Sequence, residues 1–193
     1  LPGCECLLIN GLYSTSTIKT IADNADDASY LLLYTKQTPL KLGLYALERM
    51  TQIIQSSSEN AMVYADHYQL VDGVLKQAPV IDYQQGSLRD DFDFGSVLLF
   101  NSEIFTLASS ILEETVFQYA AFYEMRLMLG NLFQIIHINE FLYTEIETDT
   151  RKSGEKQFDY VNPKNREVQI EMEKVCIKHL KDCLLYTSPS PRD

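Results

Sequence analysis

The run Tyr30-Leu31-Leu32-Leu33-Tyr34-Thr35 is apolar almost from end to end, and a lysine, Lys36, follows it directly. A continuous apolar run of this length is the pattern of a strand covered on both faces, and such strands commonly lie parallel to their neighbours. The flanking sequence keeps the same rhythm. Upstream, Ser14 stands where a helix cap belongs, and Ile18, Ile21, Ala22 and Ala25 recur at helical spacing after it. A shorter apolar run over residues 6–9 precedes that helix. Downstream, Thr38 caps and Pro39 opens a predicted helix whose stripe is Leu40, Leu44, Leu47, Met50 and Ile54. Residues 62–66 supply a third strand. Strand, helix, strand, helix, strand predicts an α/β, Rossmann-like domain with a mostly parallel central sheet and helices on both faces.

Further along, Asp72-Gly73 separates Tyr68-Gln69-Leu70-Val71 from Val74-Leu75 and predicts a two-residue hairpin. Residues 82–93 are polar and acidic, and an apolar strand resumes over 95–100. Asn101 or Ser102 starts a helix, and residues 119–129 carry helical spacing with Asn131 as a stop. Residues 132–138 and 141–146 read as two strands. Asn162 and Pro163 cap a last helix over 164–181, striped by Val168, Met172, Val175 and Cys176. No internal repeat is visible.

The 193 residues suit one domain, with 46% hydrophobic and 22% charged residues. A net charge of -11 argues against nucleic acid or an anionic membrane surface as partner, since both require a basic stripe. No apolar run approaches the ~20 residues of a membrane span. Cys4, Cys6, Cys176 and Cys183 show no Cys-x-x-Cys spacing, which points to a reducing, cytoplasmic setting. The closing stretch Leu184-Leu185-Tyr186-Thr187-Ser188-Pro189-Ser190-Pro191-Arg192-Asp193 resembles translated sequencing-adapter read-through. Residues 183–193 are therefore read as a non-native tail and 1–182 as the domain, whose first strand and loop are expected to be cut off.

In open α/β sheets the ligand crevice lies beyond the carboxyl ends of the strands, here the loops at Asn10, Thr35, Asp66 and before Gly95. Several runs around them carry a family resemblance. These are Ala28-Ser29-Tyr30-Leu31-Leu32-Leu33-Tyr34-Thr35-Lys36, Leu47-Glu48-Arg49-Met50 and Met62-Val63-Tyr64-Ala65-Asp66-His67-Tyr68. Two more are Arg89-Asp90-Asp91-Phe92-Asp93-Phe94-Gly95-Ser96-Val97-Leu98-Leu99-Phe100 and Thr148-Asp149-Thr150-Arg151-Lys152-Ser153-Gly154-Glu155-Lys156. Over about residues 4–182 the chain resembles glycosyltransferase family 2, in its Bacteroides-type subgroup. The resemblance implies a GT-A type fold, a nucleotide-diphosphate sugar donor, Mg²⁺ or Mn²⁺, and inverting transfer to a glycan or lipid-linked acceptor. It also implies a second domain of the same type further along the parent chain.

In such enzymes the donor strand ends in Asp-x-Asp, whose carboxylates hold the metal against the diphosphate. Here the matching strand ends in Tyr34-Thr35-Lys36, which are assigned to the donor side. Lys36 either supplies positive charge to the diphosphate directly or solvates a loop mouth. A literal Asp-x-Asp stands at Asp91-Phe92-Asp93, where alternation puts both acids on one side of an extended segment. Asp91 and Asp93 are thus metal candidates; with Asp90 and His67 they are also acceptor-side candidates. For the general base the family's acidic pair has its nearest match at Glu124 in Ala121-Phe122-Tyr123-Glu124, and Asp66 is the other catalytic candidate. His67 reads equally as a hydrogen-bonded structural residue. His137 reads as core, and His179 sits near a helix carboxyl end, where a cation is favoured. Arg151 and Lys152 form either a diphosphate clamp or a solvated charge run. Two other readings stand beside transfer: a catalytically silent GT-A type module next to an active domain, and a nucleotidyltransferase of the same broad fold.

Overall fold

Alternation along the strands decides which side chains meet which helices. The computed structural model describes residues 5–9, 11–25, 27–112, 116–146 and 166–183. The elements run α1 (Thr15–Asp23), β1 (Tyr30–Tyr34), β2 (Leu40–Leu42), α2 (Ala46–Ile54), β3 (Asn60–Val71), β4 (Val74–Ala78), β5 (Val97–Asn101), α3 (Ser102–Leu112), α4 (Ala121–Leu132), β6 (Gln134–Ile146) and α5 (Arg166–Asp182). Ser14 Oγ accepts the Thr17 N–H at 3.2 Å, which is the cap the sequence predicts for α1.

The six strands form one sheet in the order β1-β5-β3-β6-β2, and β4 also pairs with β3. One edge of β3 is shared: β5 lies along residues 62–64 and β4 along 67–71. The other edge belongs to β6. β1, β3 and β6 run in the same direction, while β2, β4 and β5 run against them. Among the described residues only β3 and β6 are a parallel neighbouring pair. The expected mostly parallel sheet is therefore corrected to a mixed one. A continuous apolar run reports burial on both faces and is silent about the direction of its neighbours. β5, buried over Val97–Phe100, inserts antiparallel between β1 and β3, so both keep covered faces without lying side by side.

Two cores result. Leu33, Met62, Tyr64, Leu98 and Phe100 pack with Ile18 and Ile21 of α1, Phe105 of α3, Met125 and Leu127 of α4 and Val175 of α5. Their neighbours Val63, Ala65, Val97 and Leu99 turn the other way, onto Ala46, Met50 and Ile54 of α2. Helices thus cover both faces of an α/β sheet. No helix among the described residues is long and apolar enough to cross a membrane.

Three local expectations change. Residues 6–9 form no strand: an apolar run becomes one only when a neighbour supplies its ladder of hydrogen bonds. The helix expected from Pro39 begins only at Ala46. Leu40–Leu42 is instead a strand against β6, and Leu44 is 86% exposed. Leu40 and Leu44 match a helical spacing by coincidence; Gly43 marks the true constraint. Its N–H donates to Leu142 O at 2.8 Å, and a Cβ there would stand 2.7 Å from the same oxygen. The two strands expected over 132–146 are one. Ala65 pairs with Ile138 but Asp66 pairs with Phe141, so Asn139 and Glu140 form a bulge inside continuous β6. Asp72-Gly73 does make the hairpin, with φ of 52° and 77°.

Candidate functional site

Adjacent residues of a strand point to opposite faces, and at the carboxyl end of β3 the adjacent residues are Asp66 and His67. Each is buried, and each anchors a separate ionic network.

On the α2 face His67 meets β6. Its ring stacks on Tyr143, with centroids 5.0 Å apart and planes within 5°, and its Nε2 lies 3.5 Å from Glu145 Oε1. The buried Glu145 carboxylate also accepts from Lys36 Nζ, reaching in from beyond β1. The Lys36 side chain is 35% exposed, so this charge stands at the rim and Glu145 at the bottom. Burial works to raise the Glu145 carboxyl but is outweighed by Lys36, Ser96 and His67, which hold it below its usual range. His67 is pushed down, chiefly by burial. Burial likewise raises Tyr143 to about 12, and its hydroxyl accepts the Ser96 N–H at 2.8 Å. Gly95 makes this approach possible: its φ is +73°, and a Cβ would overlap the Tyr143 hydroxyl. Thr35 N–H donates to Ser96 O at 2.9 Å, while the Tyr34 hydroxyl turns back to Thr38 O at 2.7 Å.

On the opposite face Asp66 Oδ1 lies 2.9 Å from His137 Nε2 and accepts the Val80 N–H at 2.9 Å. The other ring nitrogen of His137 faces Asp82 Oδ1 at 2.6 Å. Tyr64 stacks on the His137 ring at 5.1 Å.

The acidic segment between β4 and β5 is fixed from below by Arg126 of α4. Its buried guanidinium sits 4.9 Å from the Tyr123 ring and 5.8 Å from that of Tyr83, and it donates to the carbonyls of Ser87 and Arg89. Above that anchor, Asp91 is gripped by Arg89 at 3.0 and 3.1 Å, which holds its carboxyl below the usual range. Asp93 Oδ1 accepts the Gly95 N–H at 2.8 Å, and Asp90 is exposed. A divalent ion on Asp91 and Asp93 would have to displace a guanidinium from one and compete with a backbone N–H for the other. As arranged, this pair does not fit the ion. Among the described residues no group of three or more His, Cys, Asp or Glu side chains is placed to hold a metal.

The sequence-predicted residues thus divide. Thr35 and Lys36 at the rim lie above the buried His67 and Glu145, and Asp93 adjoins them through Gly95 and Ser96. Asp66 is close in sequence but faces the other side. Glu124 joins neither network: its Oε1 accepts from Lys178 of α5 at 2.6 Å, and its buried Oε2 has no hydrogen-bond partner among the described residues. Arg151 and Lys152 lie outside the described residues. Sequence reasoning missed Glu145 and the pairing of His137. The signal for Glu145 was its place two residues beyond Tyr143, an acid on a buried face; the bulge at 139–140 hid that register. No family model matches the chain, and no curated protein matches it.

Proposed function

We propose that this domain binds a nucleotide-diphosphate sugar beyond the carboxyl ends of β1, β3 and β6, and that it transfers the sugar to a glycan or lipid-linked acceptor in a cytoplasmic setting. The resemblance of its sequence runs to family 2 glycosyltransferases is one support. The observation that carries the reading is the placement of Lys36, a partly exposed ammonium at the end of β1, in contact with a buried carboxylate. A departing diphosphate needs positive charge beside it, and an ammonium supplies it. Tyr34 and Thr35 shape the same mouth. Asp90, Asp93 and His67 border its acceptor side. Neither carboxylate expected for acid–base work stands at this mouth: Asp66 faces the opposite side of the sheet, and Glu124 pairs with Lys178 of α5.

One observation favours a second reading. Glu145 already neutralises Lys36, so the domain offers an incoming diphosphate a charge that is engaged. A silent module of GT-A type beside an active transferase domain in a longer chain would carry such a pair at no functional cost.

Calorimetry with uridine and guanosine diphosphate sugars, each with and without Mn²⁺, separates the two. Transfer predicts binding that weakens by about tenfold or more in Lys36→Ala, the scale of one charge-assisted contact. Binding unaffected by Lys36→Ala rejects the proposed site; no binding under any condition leaves the module reading. Metal-dependent binding lost in an Asp91→Asn, Asp93→Asn double variant would restore the acidic pair as the metal site.

A further inference from the structure

Three side chains of the sheet hold three consecutive residues of the segment that leaves β4. Asp66 Oδ1 accepts the Val80 N–H at 2.9 Å, and the Tyr64 hydroxyl donates to Ile81 O at 2.7 Å. His137 Nδ1 lies 2.6 Å from Asp82 Oδ1. The third hold differs from the first two because it depends on a removable proton.

Both ring nitrogens of His137 face carboxylate oxygens, Asp66 at Nε2 and Asp82 at Nδ1. An ionised carboxylate only accepts, so both contacts are hydrogen bonds only while the ring carries two protons. A neutral ring keeps one N–H and turns a lone pair toward the other carboxylate. The two acids are not equivalent. Asp66 is buried and fixed by the Val80 N–H, whereas the Asp82 side chain is 88% exposed and regains water when it swings away. The proton is therefore lost from Nδ1, and Asp82 is the partner released. Among the described residues, the titratable groups around the ring are Tyr64 and Asp66 of β3 and Asp82, with Tyr83 next along the segment; Tyr64, stacked on the ring, fixes its plane.

We propose that Asp66, His137 and Asp82 form a proton-operated clip. Doubly protonated His137 closes residues 80–82 onto the sheet; the neutral ring lets Asp82 go and loosens the segment that leads to Asp90, Asp91 and Asp93. The clip stands apart from the donor chemistry of Lys36, which lies on the other face.

NMR of the ¹⁵N-labelled chain tests it between about pH 5 and about pH 9, a range that brackets ordinary imidazole titration. The readouts are the His137 ring nitrogens and the Val80 amide protection, taken as exchange relative to an unstructured peptide. The two should share one midpoint, with protection falling by about tenfold as the ring loses its proton. Asp82→Asn should flatten the protection profile, because a carboxamide donates to the neutral ring and accepts from the protonated one. His137→Gln should leave protection low at every pH. The clip is overturned by a ring that does not titrate in this range, or by Val80 protection that stays flat through its titration. A wild-type profile retained in Asp82→Asn, a change at an exposed side chain, overturns it equally.

Discussion

His67 shows how burial and charge oppose one another at a single residue. Desolvation pushes its imidazole below the ordinary 6.5, while Glu145 and Asp93 pull the other way and lose. The consequence for stability has a definite sign. Between the folded-state titration point and about 6.5 the unfolded ring holds more protons than the folded one, so stability rises with pH through that window and is lost on acidification. The slope from one such group cannot exceed about 1.4 kcal/mol per pH unit. Thermal melts of His67→Gln should lack this component, so its acid-induced loss between about pH 7 and about pH 5 should be smaller than in the wild type. An identical profile in the variant would place the sensitivity elsewhere. Glu145 adds a term of the same sign in a lower window. Its folded carboxyl titrates below the ordinary 4.5, so its contribution is present above that value and fades as pH drops through the folded one.

Among the elements, α4 begins without a cap of its own. Ala120 stands at the cap position and has no side chain to accept a first-turn N–H. The first helical N–H, that of Ala121, goes to Tyr13 O at 2.9 Å, and the amides just before it go to another helix. Glu171 of α5 takes the N–H groups of Gln118, Tyr119 and Ala120 at 2.7 to 3.2 Å, placing a negative charge at the positive end of the α4 dipole. α5 buries only Val175 completely, so this carboxylate and the Lys178–Glu124 pair account for much of how the helix is held. Glu171→Ala should cost about 1 kcal/mol, within the range of a lost helix cap, read as a lower urea midpoint at unchanged slope. An unchanged midpoint would mean that water serves those amides equally well. Lys178→Met would not mimic it, because that change strands a buried carboxylate instead of a set of amides.

Across the whole molecule, the existence of the helices and of most strands was legible because apolar periodicity and caps are local, though the expected start of α2 at Pro39 proved to be β2. Ser14 announced α1, and Asp72-Gly73 announced the hairpin. The direction of the strands was not legible. β5 follows a long polar segment, and nothing within Val97–Phe100 states that it enters the sheet between β1 and β3. The site was legible in part for the same reason. Lys36 and His67 stood out at strand ends, where ligands gather. Glu145 did not, because between Ala65 and His67 the register of β6 slips by three residues, two at Asn139-Glu140 and one at Leu142, and such an offset cannot be seen from either strand alone. His137 read as core, which describes its burial and omits the two carboxylates that hold it.

These scales meet at the Lys36–Glu145 contact, where the rim charge proposed to receive a diphosphate is engaged by a carboxylate of the fold. Calorimetric titration of uridine and guanosine diphosphate into wild type and Glu145→Gln addresses that contact directly, with thermal melts confirming that both are folded. Removing the competing charge should tighten binding of at least one nucleotide by about tenfold, the scale of one charge-assisted pair. Equal or weaker binding in Glu145→Gln would show that Lys36 does not receive the diphosphate.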